Sequence, residues 1–223
     1  MRRLLSIILC VCLMAFPVKG EGKTKYIALT FDDGPSGMYT RRLLDGLEER
    51  NVKATFLLCG YRLKEYPRDA RRICDAGHEI GLHGYSHEDM GKMTYAQAMD
   101  EIKRTAALLP EGCNPVFLRP PGGSRSETLE AVARDADLAI LNWSVDPRDW
   151  ANHDAQAVET FVVESVKDGD VILLHDMCDC SVDAALAIID KLQAQGFCFV
   201  TASALAKLRG ITPQPGKVYS KFA

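Results

Sequence analysis

From residue 24 onward, short apolar runs alternate with longer stretches in which apolar residues recur every three or four positions. The runs at 26–31, 54–58, 79–82, 116–118, 138–142, 171–174 and 197–201 read as seven buried parallel strands, several flanked by Gly or Pro. The stretches at about 38–50, 67–76, 94–109, 126–136, 154–167 and 182–195 read as amphipathic helices. In 94–109, Ala98, Ile102, Thr105 and Leu109 share one face, with Lys103 and Arg104 off it. In 182–195, Val182, Leu186, Ile189 and Leu192 do the same. Alternating strand and helix predicts an α/β fold with a parallel sheet. Spacing alone leaves open a doubly wound sheet or a closed, irregular barrel. No linker and no internal repeat divides the chain. Residues 210–223 carry two Pro and little periodicity, and read as a surface tail.

The pattern before residue 24 is different. Arg2 and Arg3 precede an apolar run of 13 residues, 4–16. A secretory leader has an apolar stretch of about 7–15 residues, and a membrane span needs about 20. Residues 1–20 are therefore expected to be a signal peptide, with an uncleaved anchor as the alternative. Either way the folded part, 25–209, is secreted or associated with the cell envelope. Losing residues 1–20 takes Arg2, Arg3 and Lys19 but no acidic residue, so the net charge moves from −3 to −6. An acidic balance argues against a nucleic-acid partner. The other composition values, 47% hydrophobic and 26% charged, exclude disordered and collagen-like chains.

Six cysteines remain after the leader: Cys59, Cys74, Cys113, Cys178, Cys180 and Cys198. An exported chain permits disulfides, and about 15 pairings of six thiols exist. Cys59 and Cys198 sit in apolar runs that look like core strands, so most of the six are expected to be free thiols.

Function in α/β folds collects at the C-terminal edge of the strands. Here that edge is crowded with chemistry. The first strand ends in Thr30-Phe31-Asp32-Asp33-Gly34-Pro35, the third in His83-Gly84-Tyr85-Ser86-His87, the fourth in Arg119-Pro120-Pro121-Gly122-Gly123. The fifth runs into Asp146-Pro147-Arg148-Asp149-Trp150 and the sixth into His175-Asp176. Any one of these groups could cap a helix or close a salt bridge, but five strands delivering them together points to a site. Two imidazoles plus one carboxylate make a zinc-type site with a position left open for water. His83 and His87 supply the imidazoles, and one of Asp32 and Asp33 the carboxylate. The remaining aspartate is placed as a general base. His175 is the candidate acid, held by Asp149 or Asp176. Arg119, in an apolar setting, needs an anion, and the base aspartate is the obvious one. His78 reads as structural and His153 as a solvated loop residue.

In this order the motifs resemble the NodB-type polysaccharide deacetylases, carbohydrate esterase family four, from about Lys25 to Leu208. The resemblance implies a distorted, partly open (β/α) barrel of about seven parallel strands. It implies Asp32 as base, Asp33, His83 and His87 as metal ligands, and Arg119 orienting the base. It implies that Asp149 tunes His175, the acid, and that the Gly122 N–H stabilises the oxyanion. Trp150 and Leu173 would wall an acetyl pocket. The cofactor implied is a divalent cation, zinc or cobalt. The activity implied is N-deacetylation of an acetylated glycan, peptidoglycan or chitin-type. The protein is expected to be a monomer that meets the membrane only if the leader stays. O-deacetylation of acetylated xylan and glycan binding without catalysis are the alternatives. Two positions depart from the family pattern. Gly84 replaces the Ser or Thr that follows the first histidine, which is expected to loosen the loop and weaken metal binding. Gly122 replaces an aromatic, removing a sugar-packing wall.

Overall fold

The structure is a computed structural model and describes residues 24–223. The expected leader, 1–20, lies outside the described residues. In chain order the elements are β1 (Lys25–Asp32), α1 (Met38–Glu49), β2 (Thr55–Leu58), α2 (Gly60–Glu65), α3 (Pro67–Asp75), β3 (Glu79–Leu82), α4 (Tyr95–Ala106), β4 (Phe117–Leu118), α5 (Glu127–Asp135), β5 (Ala139–Leu141), α6 (Ala155–Ser165), β6 (Val171–His175), α7 (Asp179–Ala194), β7 (Phe197–Val200), α8 (Ala202–Leu208) and β8 (Val218–Tyr219). All seven expected strands are present. The short helices α2 and α8 were not expected.

One parallel sheet runs β6-β1-β2-β3-β4-β5-β8, and β7 also pairs with β1. Its two ends approach each other through single bridges only, Val145 to Ile172 and Asp170 to Lys221. The sheet therefore curls toward closure without completing a ladder, the distorted and partly open barrel that the resemblance implied.

Alternation along β1 divides two apolar layers. Ile27, Leu29 and Phe31 join the outer core with Leu43, Leu47, Ile188 and Leu192 from α1 and α7. Ala28 faces the barrel interior with Leu57, Phe117 and Leu141. Period two then puts Thr30 and Asp32 on that same inner face, one and two steps nearer the C-terminal edge. The bottom of the barrel is filled with side chains, and the top carries polar groups.

The expected surface tail is a correction. Residues 210–223 end in β8, which pairs with β5, and Phe222 is fully buried against Phe117 and Tyr219. A two-residue strand is too short to leave a periodic pattern, so the segment looked irregular.

The cysteines are a second correction. Cys74 pairs with Cys113 across 39 residues, and Cys178 with Cys180. The first closes a long loop, worth about 4 kcal/mol in the chain-entropy account. Cys59 and Cys198 are free, and Cys59 is buried as expected. Cys198 is exposed, because β7 pairs with β1 alone and shows alternate residues to solvent. His78 is structural as expected. Its Nδ1 accepts from the Ala54 N–H at 3.2 Å. Burial, with a contribution from Lys53, pushes the imidazole down to about 4.

Phe222→Ala is expected to cost about 3–5 kcal/mol, as for other buried aromatics. A residue on a surface tail would cost no more than about 0.5 kcal/mol. Urea unfolding separates the two.

Candidate active site

At the C-terminal edge of the barrel, Asp32, Asp33, His83, His87, Gly122, Trp150, Leu173 and His175 line one cavity of about 520 Å³. Arg119 and Asp149 lie behind it, both buried. The structure thus gathers all ten residues singled out in the sequence.

Consecutive side chains on a strand point to opposite faces, so Asp32 and Asp33 cannot both enter the cavity from regular β structure. Asp33 does so because its φ is 71°. This left-handed conformation, costly for a non-glycine residue, turns its carboxylate back toward the histidines. Asp33 Oδ1 lies 3.2 Å from His83 Nε2 and 3.0 Å from His87 Nε2. One donor atom from each of the three residues falls within 4.8 Å of the others.

The donor set fits a divalent cation. His83 Nδ1 is 2.7 Å from the Arg119 carbonyl, which only accepts. Nδ1 therefore carries the proton and Nε2 is the nitrogen turned to the cavity. Asp33 Oδ1 is buried and has no well-directed donor. A carboxylate oxygen and two imidazole nitrogens this close together are a donor set that suits a divalent cation of the zinc type. Among these groups alone, burial raises the Asp33 carboxyl, but the two imidazoles lower it by more, leaving it far below the usual range. The contact with Asp33 raises His87 against its burial.

Asp32 is held differently. Arg119 Nη1 donates to Asp32 Oδ1 at 2.7 Å and to Thr30 Oγ1 at 2.8 Å. Its Nε donates to the Leu141 carbonyl at 2.7 Å and its Nη2 to the Asn142 carbonyl at 3.0 Å. A fully buried guanidinium is thereby satisfied by one anion and three neutral acceptors. The second Asp32 oxygen stays free on the cavity side, 3.8 Å from His83 Nε2.

His175 faces Asp33 from across the cavity, with Nε2 4.0 Å from Asp33 Oδ2. Asp149, not Asp176, is its partner. Asp149 Oδ1 is 2.8 Å from His175 Nδ1, and Oδ2 accepts from the His175 backbone N–H at 2.8 Å. Burial lowers the imidazole, but hydrogen bonding and charge from Asp149 outweigh it and raise His175 to about 9. Asp176 points away. Its carbonyl accepts from Ser36 Oγ at 2.7 Å and its carboxylate from Thr40 Oγ1, which ties the β6 end to the loop after β1. A Cβ at Gly34 would lie 2.6 Å from Asp176 Oδ1, so this closeness requires glycine.

The two departures from the family pattern find explanations. Gly84 has φ 74°, and the loop it opens is held by another residue. Glu101, buried on α4, accepts from the Tyr85 N–H at 2.6 Å, the Ser86 N–H at 2.8 Å and Ser86 Oγ at 3.0 Å. The expected loosening is thereby countered. Glu101 was missed, although it sits three residues after Ala98 on the apolar face of its helix, where a carboxylate is out of place. Gly122 has φ 65°, and a Cβ there would meet nothing within 4 Å, so the cavity is open on that side. Trp143, Asp146 and Arg148 also line the cavity. Trp143 lies just past the end of β5, where the strand-edge rule reaches it.

The polysaccharide deacetylase family model matches residues 19–141. The chain belongs to the polysaccharide deacetylase family. It is 36% identical over 187 residues to the peptidoglycan-N-acetylmuramic acid deacetylase PdaC of Bacillus subtilis, covering 83% of this chain and 39% of that protein. It is 37% identical over 193 residues to a peptidoglycan-N-acetylglucosamine deacetylase of Bacillus cereus, covering 84% of this chain and 70% of that one. This family member thus spans about two fifths of the first relative, 39%. A family 4 acetyl xylan esterase from Clostridium thermocellum, solved in complex with a cobalt ion, superposes with a TM-score of 0.82 at 35% identity, over 88% of this chain and 98% of that one.

Glu101→Ala is expected to leave the fold intact and to weaken metal binding by about 10–100-fold, the usual cost of removing a partner that orients ligands. Chelator competition measures the affinity and circular dichroism the fold.

Proposed function

We propose that the chain is a metal-dependent hydrolase that removes N-acetyl groups from amino sugars in a polysaccharide, peptidoglycan or a chitin-type oligomer. The observation that carries this reading is the Asp33–His83–His87 cluster flanked by Asp32 on one side and His175 on the other. The two Bacillus relatives, named as peptidoglycan deacetylases, support the substrate class.

Asp33, His83 and His87 would hold the cation, zinc or cobalt. When bound, a divalent cation supplies Lewis-acid polarisation of the acetyl carbonyl and a nucleophilic water at neutral pH. Asp32 takes the proton of the attacking water at its free oxygen, while Arg119 keeps the other oxygen and the carboxylate plane fixed. The Gly122 N–H donates to the developing oxyanion. Leu173 and Trp150 enclose the acetyl methyl, and Trp150, 61% exposed, also offers its face to a sugar ring. His175 gives the Nε2 proton to the departing amine. Its Nδ1 proton is engaged by Asp149, which raises the imidazole and so favours the protonated ring that the acid role needs. Secretion, or attachment to the envelope, places such an enzyme beside wall polymers, and we take it to act as a monomer.

The likeness to the acetyl xylan esterase favours a second reading, O-deacetylation of xylan. An alkoxide leaves with less help than an amine, so the strongly supported acid at His175 speaks for the amide.

Mass spectrometry of peptidoglycan, chitin oligomers and acetyl-xylan after incubation with metal-loaded protein tests the reading. Loss of one acetyl per modified amino sugar is expected, and release from xylan alone would overturn N-deacetylation. Asp32→Asn is expected to keep its metal and to lose about 10²–10⁴-fold in turnover, the usual contribution of a general base. Asp149→Asn removes the charge that raises His175. The acid then deprotonates at lower pH, and the basic limb of the kcat profile moves down in pH.

A further inference from the structure

A second cluster of metal-ligating side chains lies outside the deacetylase cavity. His153, in the loop between Trp150 and α6, meets Cys178 and Cys180 at the start of α7, and one donor atom from each lies within 4.8 Å of the other two. Cys180 Sγ is 3.7 Å from His153 Nδ1. None of the three belongs to the catalytic set, and His153 was expected to be an idle loop residue.

The two sulfurs are joined in a disulfide between positions two apart in sequence. Such a bond stays within one turn and links no two elements, unlike the Cys74–Cys113 bridge. It therefore constrains the unfolded chain little. The setting suits thiolates. Cys178 caps α7, and its Sγ accepts from the Ser181 N–H at 3.4 Å. The positive end of a 16-residue helix favours negative charge at this position. His153 is exposed, so its imidazole and a cation can be reached from solvent.

We propose that, when the Cys178–Cys180 disulfide is reduced, Cys178, Cys180 and His153 form a second metal site for a thiophilic cation of the zinc class. Two electrons from a dithiol reductant break the S–S bond. Each sulfur takes up a proton, and the reductant leaves as its own disulfide. Cation binding then releases both thiol protons to solvent, and His153 ligates through Nδ1 as the neutral ring. Two sulfurs and one nitrogen select zinc-like over hard cations, with a fourth tetrahedral position left to water. The two states differ mechanically. The disulfide ties α7 only to itself. The metal ties the loop that follows Asp149 and Trp150 to the turn that follows His175.

Cobalt(II) is the probe, on the full exported chain. Oxidised protein is expected to bind one Co²⁺ through Asp33, His83 and His87, with no sulfur-to-cobalt charge-transfer band. After reduction with a dithiol and its removal by desalting, a second Co²⁺ is expected, together with that near-ultraviolet band. Under the same treatment the Cys178→Ser, Cys180→Ser double variant is expected to bind one Co²⁺ without the band, although Cys74 and Cys113 are then thiols too. His153→Ala is expected to keep the band and to bind the second Co²⁺ at least about tenfold more weakly, since even indirect partners of a ligand reach that cost. A single Co²⁺ and no band in the reduced wild type would overturn the site. So would a band that survives in the double serine variant. Unchanged affinity in His153→Ala would remove the imidazole from it.

Discussion

The site is organised around one buried ion pair. Arg119 has no exposed surface and Asp32 almost none, so both charges are deprived of water. Such a pair persists only where the remaining hydrogen-bonding capacity is met, and removing one partner typically costs about 3–5 kcal/mol. Arg119 meets that condition by spanning the barrel interior, from β4 to Thr30 and Asp32 on β1 and to carbonyls at and just beyond the end of β5. The pair therefore needs the sheet to be curled, because only curvature brings the edges of β1 and β5 within reach of one side chain. The same residue also sets the first histidine, since its backbone carbonyl takes the His83 Nδ1 proton. Asp32 and His83 are aligned through a single position.

Around that pair, the loops are held in conformations that their residues do not prefer. Asp33, His87 and Arg148 have φ of 71°, 64° and 54°, and all three line the cavity. Each such residue costs on the order of 1–2 kcal/mol. The strain is sustained by buried anchors behind the loops. Glu101 grips the loop between the two histidines, and Asp176 grips the loop that carries Asp33. Asp149 does the same for His175 through both its ring and its backbone. Glu101, Asp149 and Asp176 do not line the cavity, and they hold the loops at the strand ends in fixed positions, as precise placement of reacting groups requires.

The barrel floor has its own dependence. The interior below Asp32 is apolar and is closed by α8 and the C-terminal residues Tyr219 and Phe222. The chain end belongs to the platform on which the catalytic edge stands. The outer helices α1 and α7, by contrast, pack on the opposite face of β1 and β6, and α4, which carries Glu101, packs with α5 over β3, β4 and β5.

How much of this is legible in the amino-acid order follows from range. The seven main strands, the six longer helices and the polar site residues could be read because each leaves a local mark: an apolar run, a helical period, or a polar residue where an apolar run ends. Gly122, Trp150 and Leu173 came from the family resemblance. The expectation that Asp33 rather than Asp32 turns to the two histidines came from resemblance. Its physical cause, the left-handed backbone at Asp33, exists only in the folded loop. Glu101 carried a signal, a carboxylate on an apolar helix face, but its meaning depends on which loop lies opposite. The choice of Asp149 over Asp176 as the partner of His175 depends on packing, as does the pairing of Cys74 with Cys113 over 39 residues. So does the burial of Phe222, since β8 has two residues and no period. Local properties, strand alternation and strand ends, are enough to say which polar groups arrive at the C-terminal edge of the sheet. Tertiary structure decided which of those groups face one another, because curvature, loop handedness and buried charge pairing are settled only between segments far apart in the chain.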